Sequence, residues 1–303
     1  MTTTLSAEKF STTDDGVRLR VHEEGSPDAP VTLVLVHGWT LACRTWDRVV
    51  PAVTAAADVR VLRFDLRGHG ESDPAPDGSA TIERCADDLA GLIRERVPEG
   101  PVVLAGHSMG GMTIMALAER HRQLFEARVG AAALVATSGG DLVAPTLGLP
   151  GPVAELANRG ERLVRGRLAA ARGRRISRSS RLMRPGLRWM LFGRRPNRQD
   201  VADSAQWFAD CHPASTAGFR ESLARHERLG ALEALRAVPV VVLSGAADRL
   251  TPLAHSRRIA RELPDARLVV YPGAGHMLPL ERTDEVAARI AELVAAAAPS
   301  AAR

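Results

Sequence analysis

The six residues Gly106-His107-Ser108-Met109-Gly110-Gly111 carry the sharpest chemical signal in the chain. They follow the apolar run PVVLA at 101–105 and match G-x-S-x-G, with a strand expected before and a helix after. A chain that reverses from strand to helix in so tight a turn holds its middle residue in a strained backbone. The positions two before and two after must then lack bulk, and Gly106 and Gly110 meet that need. Ser108 is raised clear of the sheet at a helix N-terminus, whose dipole favours developing negative charge. The plain alternative is a glycine-rich crossing with an incidental serine.

A serine hydroxyl needs a base to become a nucleophile, and the base needs an acid to orient it. In this architecture the chain order is Ser, then Asp or Glu after a later strand, then His after the last strand. The run Val238–Leu243 leads into SGAADR and puts Asp248 on a loop at the carboxyl end of a strand. Leu268–Tyr271 leads into PGAGHM and puts His276 at the equivalent place on the next strand. Such strand ends are where open α/β sheets bind ligands. A tetrahedral intermediate also needs backbone donors. Val31–Val36 ends in His37-Gly38-Trp39-Thr40, so the N–H groups of Trp39 and Met109 are the candidates for an oxyanion hole. The Trp39 side chain is either a packing aromatic or part of the pocket lining.

Positioning these groups requires a sheet. Residues 17–23 alternate and predict a half-exposed strand. Val31–Val36, Val59–Phe64, Val102–Ala105, Ala131–Ala136, Val238–Leu243 and Leu268–Tyr271 are continuous apolar runs, as expected of strands buried on both faces. Helical patterns lie between them: Thr81–Val97 with Thr81 as cap, Met112–Arg122, Pro252–Leu263 opened by its proline, and Thr283–Ala297. Pro299–Arg303 reads as a frayed tail. Strands alternating with helices predict an α/β fold with a mostly parallel sheet covered on both faces. From about Gly139 to Arg236 no buried strand run occurs. That stretch reads as an inserted helical cap, giving a core of 1–138 and 236–303 and a cap of 139–235.

Composition narrows the function classes. The chain has 303 residues, 45% hydrophobic and 25% charged, with a net charge of only +5, which excludes disorder as the main state. No apolar stretch approaches ~20 residues, so no integral membrane segment is expected. The N-terminus lacks the pattern of a secretory signal. Three scattered cysteines, Cys43, Cys85 and Cys211, suit neither a disulfide framework nor a metal site, and the expected location is a reduced cytoplasm. Lys9 is the only lysine, and 14 arginines lie between Arg159 and Arg198 with one acid, Glu161. That segment is net +13 and the remainder of the chain net −8. It fits a nucleic acid, an anionic membrane or an acidic ligand, or else a solvated helical face. Without an aromatic or glycine-patterned module beside the arginines, no nucleic-acid partner is expected.

Together, His37-Gly38-Trp39, Asp65-Leu66-Arg67-Gly68-His69-Gly70-Glu71-Ser72, Gly106-His107-Ser108-Met109-Gly110-Gly111, Asp248 and Gly275-His276 resemble the α/β-hydrolase superfamily over about residues 15–138 and 236–298. The resemblance is to members with a helical cap: esterases, C–C bond hydrolases and cofactor-free haloperoxidases. It implies the α/β-hydrolase fold, Ser108 as nucleophile, His276 as base and Asp248 as its orienter, with no cofactor and a small-molecule substrate. Members resembling epoxide hydrolases or haloalkane dehalogenases have Asp as nucleophile, so the serine argues against both. The resemblance makes 65–70 a structural turn. His107 is expected to pack behind the nucleophile and His37 to brace its loop. Cys43 and the adjacent pair Cys211-His212 are expected to be inert, and Glu281 an ordinary charged position. An apolar cap wall is expected from Leu147, Leu149, Leu187, Trp189, Met190, Leu191, Trp207 and Phe208, with Trp39, Trp189 and Trp207 as substrate contacts. That wall suits a hydrophobic ester or thioester. The alternatives are C–C cleavage or lactone formation with the same triad, or a non-catalytic receptor. Oligomeric state is not encoded in any of these signals.

Overall fold

The computed structural model describes residues 9–142, 151–171, 173 and 175–299. The strands are β1 (Phe10–Thr12), β2 (Arg18–Gly25), β3 (Thr32–Val36), β4 (Arg60–Phe64), β5 (Val102–His107), β6 (Val129–Val135), β7 (Val240–Gly245) and β8 (Arg267–Tyr271). The helices are α1 (Val49–Ala56), α2 (Ile82–Arg96), α3 (Met109–Arg120), α4 (Arg122–Arg128), α5 (Gly151–Ala170), α6 (Arg184–Leu191), α7 (Arg198–Asp210), α8 (Pro213–Ala224), α9 (Leu232–Leu235), α10 (Leu253–Glu262), α11 (Leu278–Glu281) and α12 (Thr283–Ala297).

The eight strands form one sheet in the order β1-β2-β4-β3-β5-β6-β7-β8. β1 and β2 pair antiparallel at one edge, and every pairing from β4 to β8 is parallel. Period-two alternation splits the central strands between two apolar layers. Val34 and Val36 of β3 join the layer under α2, α3 and α10, while Leu33 and Leu35 join the layer under α1 and α12. This is why the runs of β3, β5, β6 and β7 are buried almost throughout, whereas β4 carries the half-buried Arg60 and Arg63, and β8, expected to be buried on both faces, is an edge strand half-buried from Leu268 to Val270. Register then aligns the strand ends. Val36 stands opposite both Phe64 and Gly106, His107 opposite Val135, Val135 opposite Leu243, and Gly245 opposite Tyr271. The loops after β3, β5, β7 and β8 therefore leave from one rim.

All seven expected strands form, and Thr81 caps α2 by accepting from the Arg84 N–H at 3.1 Å. The helix after Ser108 begins at Met109, three residues earlier than its apolar pattern predicted. Gly110 and Gly111 hid its first turn, because glycine carries no periodic signal. β1, α1 and α4 were not foreseen: β1 is three residues long, and α1 is uniformly small and apolar around Pro51. Between β6 and β7 the described residues form helices and no strand.

Candidate active site

Ser108 has φ 53° and ψ −118°, a conformation that costs a non-glycine residue on the order of 1–3 kcal/mol. The turn that enforces it leaves no room beside it. A Cβ on Gly106 would drive into the Gly110 backbone, and one on Gly110 into the Val36 carbonyl. The turn is pinned from behind, since the Ser108 N–H donates to the Val135 carbonyl at 2.9 Å and the Thr137 hydroxyl donates to the Ser108 carbonyl at 2.7 Å. The hydroxyl of Ser108 makes no hydrogen bond among the described residues and is free to engage another group.

Gly38 brings the loop after β3 against this turn: a Cβ there would lie 3.0 Å from the Ser108 Cβ. His37 holds that loop. Its Nδ1–H donates to the Gly38 carbonyl at 2.8 Å, and its Nε2 accepts from the Leu66 N–H at 2.9 Å. Burial lowers the His37 pKa and keeps the ring neutral for both roles. The Asp65 carboxylate ties the same loop to the 65–72 turn, accepting from Cys43 N at 2.7 Å and Glu71 N at 2.9 Å. The Trp39 N–H donates to no protein group among the described residues. The Met109 N–H, first in its helix, has no intrahelical acceptor. Both donors thus stand open beside Ser108. The Trp39 indole donates to the Thr216 carbonyl in α8 at 3.2 Å.

His276 and Asp248 meet across the ends of β7 and β8. His276 Nδ1 donates to Asp248 Oδ2 at 2.8 Å, and both side chains are buried. Asp248 is fully committed: Oδ1 accepts from the N–H groups of Leu250 (2.8 Å) and Thr251 (3.0 Å), and Oδ2 also accepts from the Thr251 hydroxyl (2.8 Å). Burial opposes ionisation of this carboxyl, but the charge and bond of His276 and the donors from Thr251 outweigh it and lower its pKa. His107 joins this pair to the nucleophile turn. Its ring lies 4.9 Å from that of His276, and its Nε2–H donates to the His276 carbonyl at 2.9 Å. Burial first, and His276 second, push the His107 pKa down to about 3, so it stays neutral and serves as a brace.

Three residues behave differently from, or beyond, their sequence reading. Glu281 is no ordinary surface charge. Its Oε2 accepts from the Gly193 N–H at 2.8 Å and its Oε1 from the Gly275 N–H at 3.0 Å, clamping the loop before His276 to the segment after α6. Thr251 was missed; a hydroxyl three residues after an aspartate carries no signal of its own. Trp189 is 44% exposed, with the Arg249 guanidinium 5.2 Å above its ring.

The other candidates fall where the plainer reading put them. Burial raises the Cys43 and Cys211 thiols far above their usual range. Cys211 donates to the Trp207 carbonyl at 3.3 Å, while His212 faces Ser215 as the cap of α8. Leu187 and Leu191 pack with Leu41 and Met277, and Met190, Trp207 and Phe208 lie half-buried against them. Leu147 and Leu149 fall outside the described residues. Among the described residues no group of three His, Cys, Asp or Glu could hold a metal ion, and no helix is long and apolar enough to cross a membrane.

Comparisons with known proteins bear on this arrangement. The profile of the alpha/beta hydrolase family matches residues 33–289. The pimeloyl-[acyl-carrier protein] methyl ester esterase of Aromatoleum aromaticum is 30% identical over 272 residues, covering 86% of this chain and 97% of that protein. The probable oxidoreductase EphD of Mycobacterium tuberculosis is 38% identical over 115 residues, but the chain spans only 19% of its length. Among solved structures, a thermophilic esterase from Thermogutta terrifontis superposes with a TM-score of 0.75 at 26% identity, covering 96% of this chain and 98% of that one.

Proposed function

The chain belongs to the alpha/beta hydrolase family and is a hydrolase, and on that premise we propose that it cleaves carboxylic esters or thioesters by acyl transfer through Ser108, His276 and Asp248. The observation that carries this reading is the buried Asp248–His276 pair at 2.8 Å, tied through His107, whose ring lies 4.9 Å from that of His276, to the turn that holds Ser108 at φ 53°. Similarity to an esterase over 86% of the chain supports ester chemistry.

Asp248 accepts from Nδ1 of His276, which leaves the lone pair of Nε2 to take the Ser108 proton. The Ser108 oxygen then bonds to the substrate carbonyl carbon. The charge that develops on the carbonyl oxygen meets the open N–H groups of Trp39 and Met109. His276 returns the proton to the leaving alcohol or thiol as its bond to carbon breaks. Water repeats the sequence on the acyl-enzyme: His276 takes its proton and passes it to the Ser108 oxygen as the bond between that oxygen and the acyl carbon breaks and the acid departs. The segment 139–235 acts as a cap, with the half-buried Trp39 and Trp207 contributing the apolar wall for the acyl group. Three buried free cysteines suit a cytoplasmic setting.

A series of p-nitrophenyl esters of increasing chain length tests the reading. Turnover that Ser108→Ala lowers by about 10⁵-fold or more supports it. Absence of turnover at every length, with a folded protein, would contradict it and favour C–C cleavage or a receptor.

A further inference from the structure

The four large apolar side chains exposed among the described residues are Leu163, Val164, Leu182 and Trp189. All fall inside the 159–198 stretch, the most cationic part of the chain. Single exposed apolar residues need no explanation, but their confinement to one charged segment does. Leu182 is 94% exposed. A 3-10 turn at Arg181–Met183 runs straight into α6, so 182 and 189, like 181 and 188, stand seven residues apart, which is two helical turns on one side. The opposite side, with Leu187 and Leu191, packs inward against Leu41 and Met277. Arg181 and Arg188 are exposed. Neither has an acidic partner among the described residues, whereas Arg175 has Asp210 at 3.2 Å. The outward side thus presents apolar tips between uncompensated cations.

That combination matches the surface of an anionic bilayer. Apolar tips enter the boundary between headgroups and acyl chains, and guanidinium groups meet lipid phosphates while their stems cover apolar surface. A nucleic acid would satisfy the arginines but leave Leu182 in water. A symmetric contact with a second copy would set the same positive segment against itself and be repelled. We propose that the outward side of residues 181–189 docks on an anionic phospholipid membrane surface. The face adjoins the catalytic rim: the Leu191 carbonyl, at the end of the same helix, accepts from the His276 N–H at 2.8 Å, and Arg249 donates to the Trp189 carbonyl at 2.7 Å. Docking there holds the Ser108 rim beside the membrane, within reach of lipid-borne esters. The proposal goes beyond the esterase reading, and its test needs no turnover.

The 303-residue chain is floated with vesicles of phosphatidylcholine alone and with vesicles of equal parts phosphatidylcholine and phosphatidylglycerol, at low and high salt. The expected result is retention on the mixed vesicles only, released by high salt. Arg188→Gln weakens that partition roughly fivefold, and Leu182→Ser weakens it on the order of tenfold, each with an unchanged melting temperature. Absence of retention on the mixed vesicles overturns the proposal, as does equal retention on both kinds. Retention that survives Leu182→Ser also overturns it, and with tight heparin binding would assign the arginines to a polyanion instead.

Discussion

Asp248 has four donors arranged about two oxygens, so its carboxylate can neither turn nor exchange His276 for water. Asp248→Asn keeps the shape but presents an amide N–H or an acceptor of weaker charge to Nδ1, and favours the wrong tautomer. In the acyl-transfer mechanism this lowers kcat by about 10⁴-fold, read with a p-nitrophenyl ester. Thr251→Val removes one donor from the Asp248 oxygen that holds His276. It raises the carboxyl pKa and lowers kcat on the order of tenfold, with KM little changed and activity restored by Thr251→Ser. A tenfold loss in Thr251→Ser as well would mean that packing, not the hydroxyl, is what matters. At this scale, the proposed triad of Ser108, Asp248 and His276 was legible because each residue follows an apolar strand run. Thr251 and Glu281 were not, because their partners are set by the fold. Glu281 reaches Gly193 across 88 residues, a pairing that no local spacing encodes.

The elements explain how separate loops come to share one rim. Parallel register alone aligns the ends of β3, β5, β7 and β8; the runs of β3, β5 and β7 are apolar because both faces are covered, while β8, at the edge of the sheet, is only half-buried from Leu268 to Val270. The last turn of positioning comes from backbone clamps outside the strands. The His276 and Met277 N–H groups bond the end of α6, and Glu281 holds the loop that precedes them. Glu281→Ala removes both carboxylate bonds while leaving the sheet untouched. It is expected to lower the melting temperature by several degrees, in keeping with a loss of about 1–3 kcal/mol, and to reduce kcat more than it raises KM. An equal fall in kcat/KM through KM alone would place Glu281 in substrate binding instead. Helix α1 escaped the sequence reading for a related reason. Its small apolar residues carry no stripe, and it exists by packing on α12 across the sheet face.

For the molecule as a whole, acid is the weak point. Burial pushes His69 and His107 down to about 3 and His226 to about 4, from an ordinary 6.5. Between those values the unfolded chain binds more protons than the folded one. Stability is therefore complete above pH 6.5 and is lost as pH falls toward the folded values. The lowered Asp248 pKa works in the same direction at lower pH. Each histidine costs up to about 1.4 kcal/mol per pH unit below 6.5. The urea midpoint should fall steadily from pH 7 to pH 5, and a flat profile would mean that these rings protonate in place. Charge is also divided at this scale: +13 on residues 159–198 against −8 on the rest. The division was plain in the sequence, but its direction was not, since only the fold turns Leu182 and Arg188 outward together. The central claim concerns a single atom, the Ser108 oxygen. Treatment with a fluorophosphonate followed by peptide mass spectrometry should find the adduct on Ser108, slowed by His276→Ala and absent from Ser108→Ala. An adduct on any other residue, or none on Ser108 in folded protein, would contradict the account.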